Sequence, residues 1–306
     1  MNALFQKSDV GRLFQARTAE FTAAGVATNL PAASRDLRRT ILVVVDMQVD
    51  FVHKDGALAV PGAEDDVTRL IEFIYGNAKD ITAIAASLDS HVPMQIFYPG
   101  WWKDPGGGGH PQPFTVISAE DLRRGKWVAV ADPKWSVEYV EKLEASAKKQ
   151  LMIWPYHTMV GTAGHSLVPP LSEAIAFHSG ARLTQPTFLT KGTIPQVEHY
   201  GIMEPEVPYT KHPQGGTNTA FLDMIGRYDL IYVAGEAKSH CVLETMRQIT
   251  RYFASQKDVL GKIRFLTDCT SSVAHPAIDF EAMAASELDK MAKAGVVMVK
   301  STQPIG

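Results

Sequence analysis

Apolar residues along this chain fall into two alternating arrangements. Short unbroken runs occur at Ile41–Asp46, Ile81–Leu88, Leu151–Trp154, Thr187–Thr190, Leu230–Ala234, Ile263–Thr267 and Val296–Val299. Most are apolar along their whole length, as expected of strands covered on both faces in a parallel sheet. Between them, apolar positions recur at helical spacing: Val67, Leu70, Ile71, Phe73 and Ile74, then Val242, Leu243, Met246, Ile249 and Phe253. The Ala- and Met-rich segment 277–294 predicts a further helix. Strands alternating with helices predict an α/β domain, a doubly wound, Rossmann-like, mostly parallel sheet with helices on both faces.

Two stretches break this rhythm. Residues 1–38 read as an N-terminal helical extension ending in a polar loop, ahead of a domain over 39–306. Residues 98–150 form a long insertion, opening on YPGWWKDPGGGGHPQP and closing in a helix near Val137–Lys149. Insertions of this length in a compact domain are commonly functional lids, and residues 98–118, with Trp101 and Trp102, are expected to cover the pocket mouth or an adjoining subunit.

Composition narrows the picture. The 306 residues are 45% hydrophobic and 21% charged, enough apolar material for a sizeable core and too much for a disordered chain. Lys plus Arg is 30 against 33 Asp plus Glu, so no basic excess points to nucleic acid or an anionic membrane. No apolar run approaches a membrane span, and the N-terminus lacks the apolar core of a secretory signal. With only Cys241 and Cys269, a disulfide framework is excluded and a cytoplasmic setting is expected.

Ligands of doubly wound sheets bind beyond the carboxyl ends of the strands. Those ends here deliver Asp46, then Asp89 and His91, then His157, Lys191 and Cys241. A lone cysteine is more often a buried small hydrophobe. Cys241, however, opens an amphipathic helix six residues after Gly235, where a helix N-terminus favours the thiolate and free N–H groups can hold an oxyanion. Asp46 can serve such a thiol as base and later as acid, and the Lys191 ammonium can hold the pair charged. Asp89, His91 and His157 offer one O and two N donors, a set suited to zinc or another divalent first-row ion with open positions. Cys269 reads as structural. His110, His165 and His212 read as solvated loop histidines. Glycines 106–109 lack the strand and helix of a phosphate loop, and no dinucleotide fingerprint follows a strand.

The motifs also resemble a known family. VVVDMQVDF at 43–51, LDSH at 88–91, IWPYHTMVGTAGHSL at 153–167, KGTIPQVEHYG at 191–201, VAGEAKSHCVLET at 233–245 and TDCTSSV at 267–273 are similar to the nicotinamidase branch of the isochorismatase-like cysteine hydrolases. They run in the family's order over roughly 39–300. The resemblance implies the isochorismatase-like hydrolase fold and a catalytic triad of Asp46, Lys191 and Cys241. It implies metal ligands Asp89, His91 and His157, with zinc expected and iron or manganese as alternatives. It further implies a cis peptide between Glu236 and Ala237, backbone N–H groups of Ala237 and Cys241 as the oxyanion hole, and Gln48 and Phe51 shaping the pocket, with Trp101 as a further candidate. The activity implied is hydrolysis of nicotinamide to nicotinate and ammonia through a thioester, by a homo-oligomer whose partner is the small amide itself. Rival readings are a superfamily amidohydrolase for a ureido, carbamoyl or bulkier amide, and a non-catalytic binding protein on the same fold. This chain departs from the family pattern at Gly201–Met203, at Phe97, in its N-terminal extension and in the 98–150 insertion.

Overall fold

Six strands form the central sheet: β1 (Thr40–Val45), β2 (Ala83–Asp89), β3 (Thr187–Lys191), β4 (Leu230–Gly235), β5 (Ile263–Leu266) and β6 (Val297–Val299). The structure is a computed structural model and describes residues 4–147, 149–276 and 278–306. The strands are parallel throughout, in the order β6-β5-β4-β1-β2-β3. Read from β3, this is the doubly wound order whose direction of winding reverses between β1 and β4, where crevices open at the carboxyl edge. β1 is fully buried along its length, which explains its uninterrupted Ile-Leu-Val-Val-Val run.

Successive β1 residues point to opposite faces. Leu42 and Val44 join a core beneath α2 (Ala63–Gly76) and α4 (Pro169–Arg182), while Ile41, Val43 and Val45 join another beneath α5 (Thr219–Gly226), α6 (Leu243–Tyr252) and α7 (Phe280–Ala294). α2 carries Glu64, Asp65 and Asp66 in its first turn, complementing the helix dipole, and α4 opens on Pro169 and Pro170, whose missing N–H groups cost nothing there. Residue 277, in the segment expected to start the last helix, lies outside the described residues; α7 itself begins at Phe280.

The N-terminal segment is packed against the domain rather than hanging from it. Its helix α1 (Thr18–Val26) crosses α4 so closely that a methyl group on Gly25 would stand 2.1 Å from the Phe177 carbonyl oxygen. Arg17 caps the contact through Nε to Glu173 at 2.8 Å and Nη2 at 3.0 Å.

One expected strand belongs elsewhere. Only Leu151–Met152 is extended, and it pairs antiparallel with Val116–Ile117, outside the central sheet. The 98–150 insertion is correspondingly no bare loop. It holds a second small pairing, Trp102–Lys103 with Val128–Ala129, and helix α3 (Pro133–Lys142). A third core joins Trp101, Trp102, Tyr139, Leu143, Ile153 and Trp154 to Ile194 and Val197 of the main domain. Among the described residues no helix is long and apolar enough to cross a membrane, and both cysteines are free and buried.

Candidate active site

The carboxyl ends of β1, β2, β3 and β4 meet at one buried cluster. Asp46 follows β1 in the left-handed backbone region, at φ 44°, a conformation Asp tolerates better than most residues. Ser87 on β2 fixes it: its Oγ accepts the Asp46 N–H at 3.1 Å and donates to Asp46 Oδ1 at 2.5 Å. The register of β2 and β3 sets Asp89 directly opposite Lys191. Lys191 Nζ lies 2.8 Å from Asp89 Oδ1, 2.9 Å from Asp46 Oδ2 and 2.9 Å from the His199 carbonyl, with Cys241 Sγ at 3.7 Å. Apart from the ion pair, Asp46 Oδ2 accepts no well-directed hydrogen bond, which leaves it available to a thiol proton.

Burial governs the protonation of this cluster. It disfavours the Lys191 ammonium, but Asp46 and Asp89 overcome it and hold that pKa well above the ordinary lysine value. Burial, and then Asp89, raise the Asp46 carboxyl despite Lys191, so Asp46 is a stronger base than an exposed aspartate. Cys241 is pushed well above the usual thiol range, chiefly by burial and further by Asp46 and Asp89, with Lys191 opposing. Burial thus opposes the thiolate that a helix N-terminus favours, and Asp46 stands beside Cys241 as the base.

A second constellation shares Asp89. Its Oδ2 lies 2.9 Å from His91 Nε2 and 3.7 Å from His157 Nε2, and the three donor atoms are mutually within 4.8 Å. The opposite ring nitrogens face backbone carbonyls: His91 Nδ1 that of Gly192 at 3.1 Å, His157 Nδ1 that of Pro155 at 2.8 Å. That arrangement fixes both tautomers with Nε2 free to coordinate, the outer support characteristic of metal-binding histidines. The donor set thus fits a divalent ion with open positions. Gly192, at φ 75°, completes the packing; a methyl group there would sit 2.6 Å from Asp89 Oδ1 and 2.7 Å from His91 Cε1.

Both clusters open into one narrow cavity of about 20 Å³, lined by Phe51, Leu58, Asp89, Trp154, His157, Glu198, Tyr200, Ala237, His240, Cys241 and Val273. The Glu236–Ala237 peptide is cis, where the resemblance put it. Of the expected pocket residues, Phe51 lines the cavity, edge-on to His157 at 5.5 Å between ring centroids. Gln48 and Trp101 are corrected. Gln48 braces the site from behind, giving Nε2 to the Asp89 carbonyl and accepting the Asp89 N–H. Trp101 is turned into the insertion's core by a bond from Nε1 to Ser136 Oγ at 2.9 Å. His165 is half-buried rather than solvated, with Nε2 2.8 Å from Ser90 Oγ. The Gly201–Met203 segment, where the chain departs from the family pattern, does not line this cavity; Ile202 and Met203 line a separate one beside Lys191.

The sequence reading missed the wall. Trp154, Tyr200 and His240 stack edge to edge, backed by Phe114, His275 and Phe280. Phe114, from the insertion, stands 5.9 Å from the Trp154 ring. Glu198 was also missed. Burial, reinforced by Asp89, pushes its carboxyl to about 8, and its Oε2 is buried without a hydrogen-bond partner. Its one sequence signal was an acid seven residues after Lys191 in a run of small and apolar residues.

Comparison with known proteins agrees with the motifs. No protein-family profile matches the chain. It is 20% identical over 236 residues to the nicotinamidase of Saccharomyces cerevisiae, covering 73% of this chain and 93% of that protein. The crystal structure of the yeast nicotinamidase bound to the inhibitor nicotinaldehyde superposes with a TM-score of 0.57 at 18% identity, over 85% of this chain and 99% of that one. The nicotinamidase/pyrazinamidase of Acinetobacter baumanii superposes with a TM-score of 0.54 at 19% identity, over 88% and 98%. The chain has the fold of these proteins.

Proposed function

We propose that this chain is a metal-dependent cysteine amidohydrolase that converts nicotinamide and water to nicotinate and ammonia. The observation that supports this reading is the junction of Cys241 and its Asp46–Lys191 pair with the Asp89–His91–His157 donor set, Cys241, Asp89 and His157 lining one cavity. A binding protein on the same fold has no use for a buried thiol set beside a base.

In the proposed reaction the Asp46 carboxylate takes the thiol proton as Cys241 Sγ attacks the amide carbon. The N–H groups of Ala237 and Cys241 hold the oxyanion. Asp46 returns the proton to the departing nitrogen, which leaves as ammonia, and the acyl group stays on sulfur as a thioester. Asp46 then takes a proton from the attacking water, nicotinate departs, and the thiol is restored. Lys191 keeps two neighbouring carboxylates tolerable throughout. Asp89, His91 and His157 would hold the ion, zinc by preference, which when bound supplies a Lewis-acid contact for a ring nitrogen or its water. The wall of Trp154, Tyr200 and His240, with Phe114 beyond it, is proposed to bound the side of the pocket that the amide ring meets.

The substrate is tested by comparing nicotinamide with benzamide, which has the same shape without the ring nitrogen. The metal-loaded chain is expected to favour nicotinamide in kcat/KM by roughly 10–100-fold, because benzamide leaves one polar contact unmade. Equal rates, or no turnover of either, would remove the nicotinamide assignment and leave the cysteine chemistry to be tried on ureido, carbamoyl or bulkier amides.

The donor set makes its own prediction. The purified chain is expected to bind about one zinc ion. A thousandfold excess over Kd should stabilise it by about 4 kcal/mol. His157→Ala should lose most of that shift and raise KM. Elemental analysis and thermal melts with added zinc read both, and a chain that takes up no ion would contradict the assignment.

A further inference from the structure

Behind the loop carrying Ala237 lies a buried carboxyl that the proposed reaction does not use. Glu236 is fully buried. It leaves β4 directly after Gly235, and its backbone N–H donates to the Val45 carbonyl at 2.8 Å, next to Asp46. Its Oε2 accepts the Ser271 N–H at 3.2 Å, while its Oε1 is buried with no hydrogen-bond donor among the described residues. Ser271 also holds a second acid: its Oγ–H donates to Asp66 Oδ2 at 2.5 Å. Asp66, on α2 and 1% exposed, is ion-paired with Arg69 at 2.6 Å. The Ser271 carbonyl in turn accepts the Lys238 N–H at 2.8 Å. One serine therefore gathers two acids and the loop that runs from Gly235 to Cys241.

Two carboxylates in one dry pocket are costly unless each has a counter-charge. Arg69 serves Asp66. Lys238, the basic residue on Glu236's own loop, is engaged with Glu281 of α7 at 2.6 Å. Cys269, beside Asp66, is a buried thiol held well above the ordinary range, mostly by burial. Among the described residues no cation forms an ion pair with Glu236. A buried carboxyl oxygen that receives no hydrogen bond is less costly when the group keeps its proton.

We infer that Glu236 is a positioning residue: held as the neutral acid, it shares its proton with Asp66 and fastens the Gly235–Cys241 loop, with its oxyanion-binding N–H groups, to α2 and Ser271. The catalytic half of this inference rests on the amide hydrolysis proposed above; the proton half does not. Burial first, then the charge and hydrogen bond of Asp66, push the Glu236 carboxyl well above its usual range. The sign follows. With the folded value above the unfolded one, the stabilisation is complete below the unfolded pKa and is lost as pH rises through the folded one. The ionised pair then repels, the loop loosens, and kcat falls on the alkaline side.

Infrared spectra and pH–rate profiles of the full chain and two variants test this. The wild type should show a carboxylic-acid stretch at neutral pH that Glu236→Gln lacks. Glu236→Gln, which mimics the neutral acid, should keep kcat within about threefold at neutral pH and flatten the alkaline limb. Glu236→Ala, which releases the loop, should lower kcat roughly 10–100-fold with KM little changed. Identical spectra, an unchanged alkaline limb in Glu236→Gln, or wild-type kcat in Glu236→Ala would each overturn the inference. Should Glu236→Ala fail to fold, the glutamine profile still decides. Should the chain hydrolyse no amide, the infrared band and the unfolding midpoint decide the proton half. That midpoint should fall with rising pH in the wild type and less so in Glu236→Gln.

Discussion

Cys241→Ala is expected to abolish turnover while leaving the fold in place. In the proposed reaction Sγ is the atom that bonds to the substrate, and neither Asp46 nor Lys191 can replace it at the amide carbon. The loss should be at least about 10⁴-fold in kcat, as for other covalent nucleophiles removed from a triad. The structural cost is small, because the change deletes one sulfur atom from a site only 6% exposed. A stability loss of roughly 1 kcal/mol is expected, readable as a shift in the denaturant midpoint. Cys269→Ala is the matched control. Cys269 is buried in the core beneath α2, away from the cavity lining, and its removal should lower stability by a similar amount with turnover kept. Wild-type turnover in Cys241→Ala would end the thioester mechanism.

Lys191→Met should damage both stability and rate. The methionine stem fills most of the lysine's volume but leaves Asp46 and Asp89 buried without the ammonium that lies within 3 Å of each. Removing one partner of a buried ion pair typically costs roughly 3–5 kcal/mol, because the other charge stays behind. The defect has a direction in pH. In the metal-free variant Asp46 loses its cation, so its folded pKa, already raised by burial, rises further. The Asp46 contribution to stability is then complete below the unfolded aspartate range and is lost as pH climbs through the raised folded value. Melts of the metal-free variant should therefore approach the wild type in mild acid and diverge at neutral pH. Turnover should fall by about 10²–10³-fold, because Asp46 would hold its proton and no longer take the thiol's. A variant as stable as the wild type at neutral pH would mean that the carboxylates are neutralised some other way.

Much of the sheet was legible in the chain. β1, β2, β4 and β5 are covered on both faces, and that burial is written locally as Ile-, Val- and Ala-rich runs bounded by polar residues. The site was legible for a related reason. A doubly wound sheet brings strand ends to one edge, so Asp46, Asp89, Lys191 and Cys241 could be listed together without knowing a distance. Leu151–Trp154 shows the limit. Its apolar pattern matches that of a core strand, but its partner, Val116–Ile117, is chosen by the insertion's own packing.

What the sequence determined by itself was therefore the fold class, the order of the elements and the inventory of reactive groups, because these depend on local periodicity and on which residue ends each strand. Tertiary structure alone decided how those groups behave. Cys241 sits where a helix N-terminus favours the thiolate, yet desolvation and two carboxylates push its pKa upward. Trp101 looked like a pocket residue until Ser136, thirty-five positions away, claimed its indole. The aromatic wall of Trp154, Tyr200 and His240 is drawn from three distant segments, and the Glu236–Ser271–Asp66 contact from the last of these and two others. Burial and electrostatic coupling act through space, between atoms whose separation along the chain carries no trace of their separation in the fold.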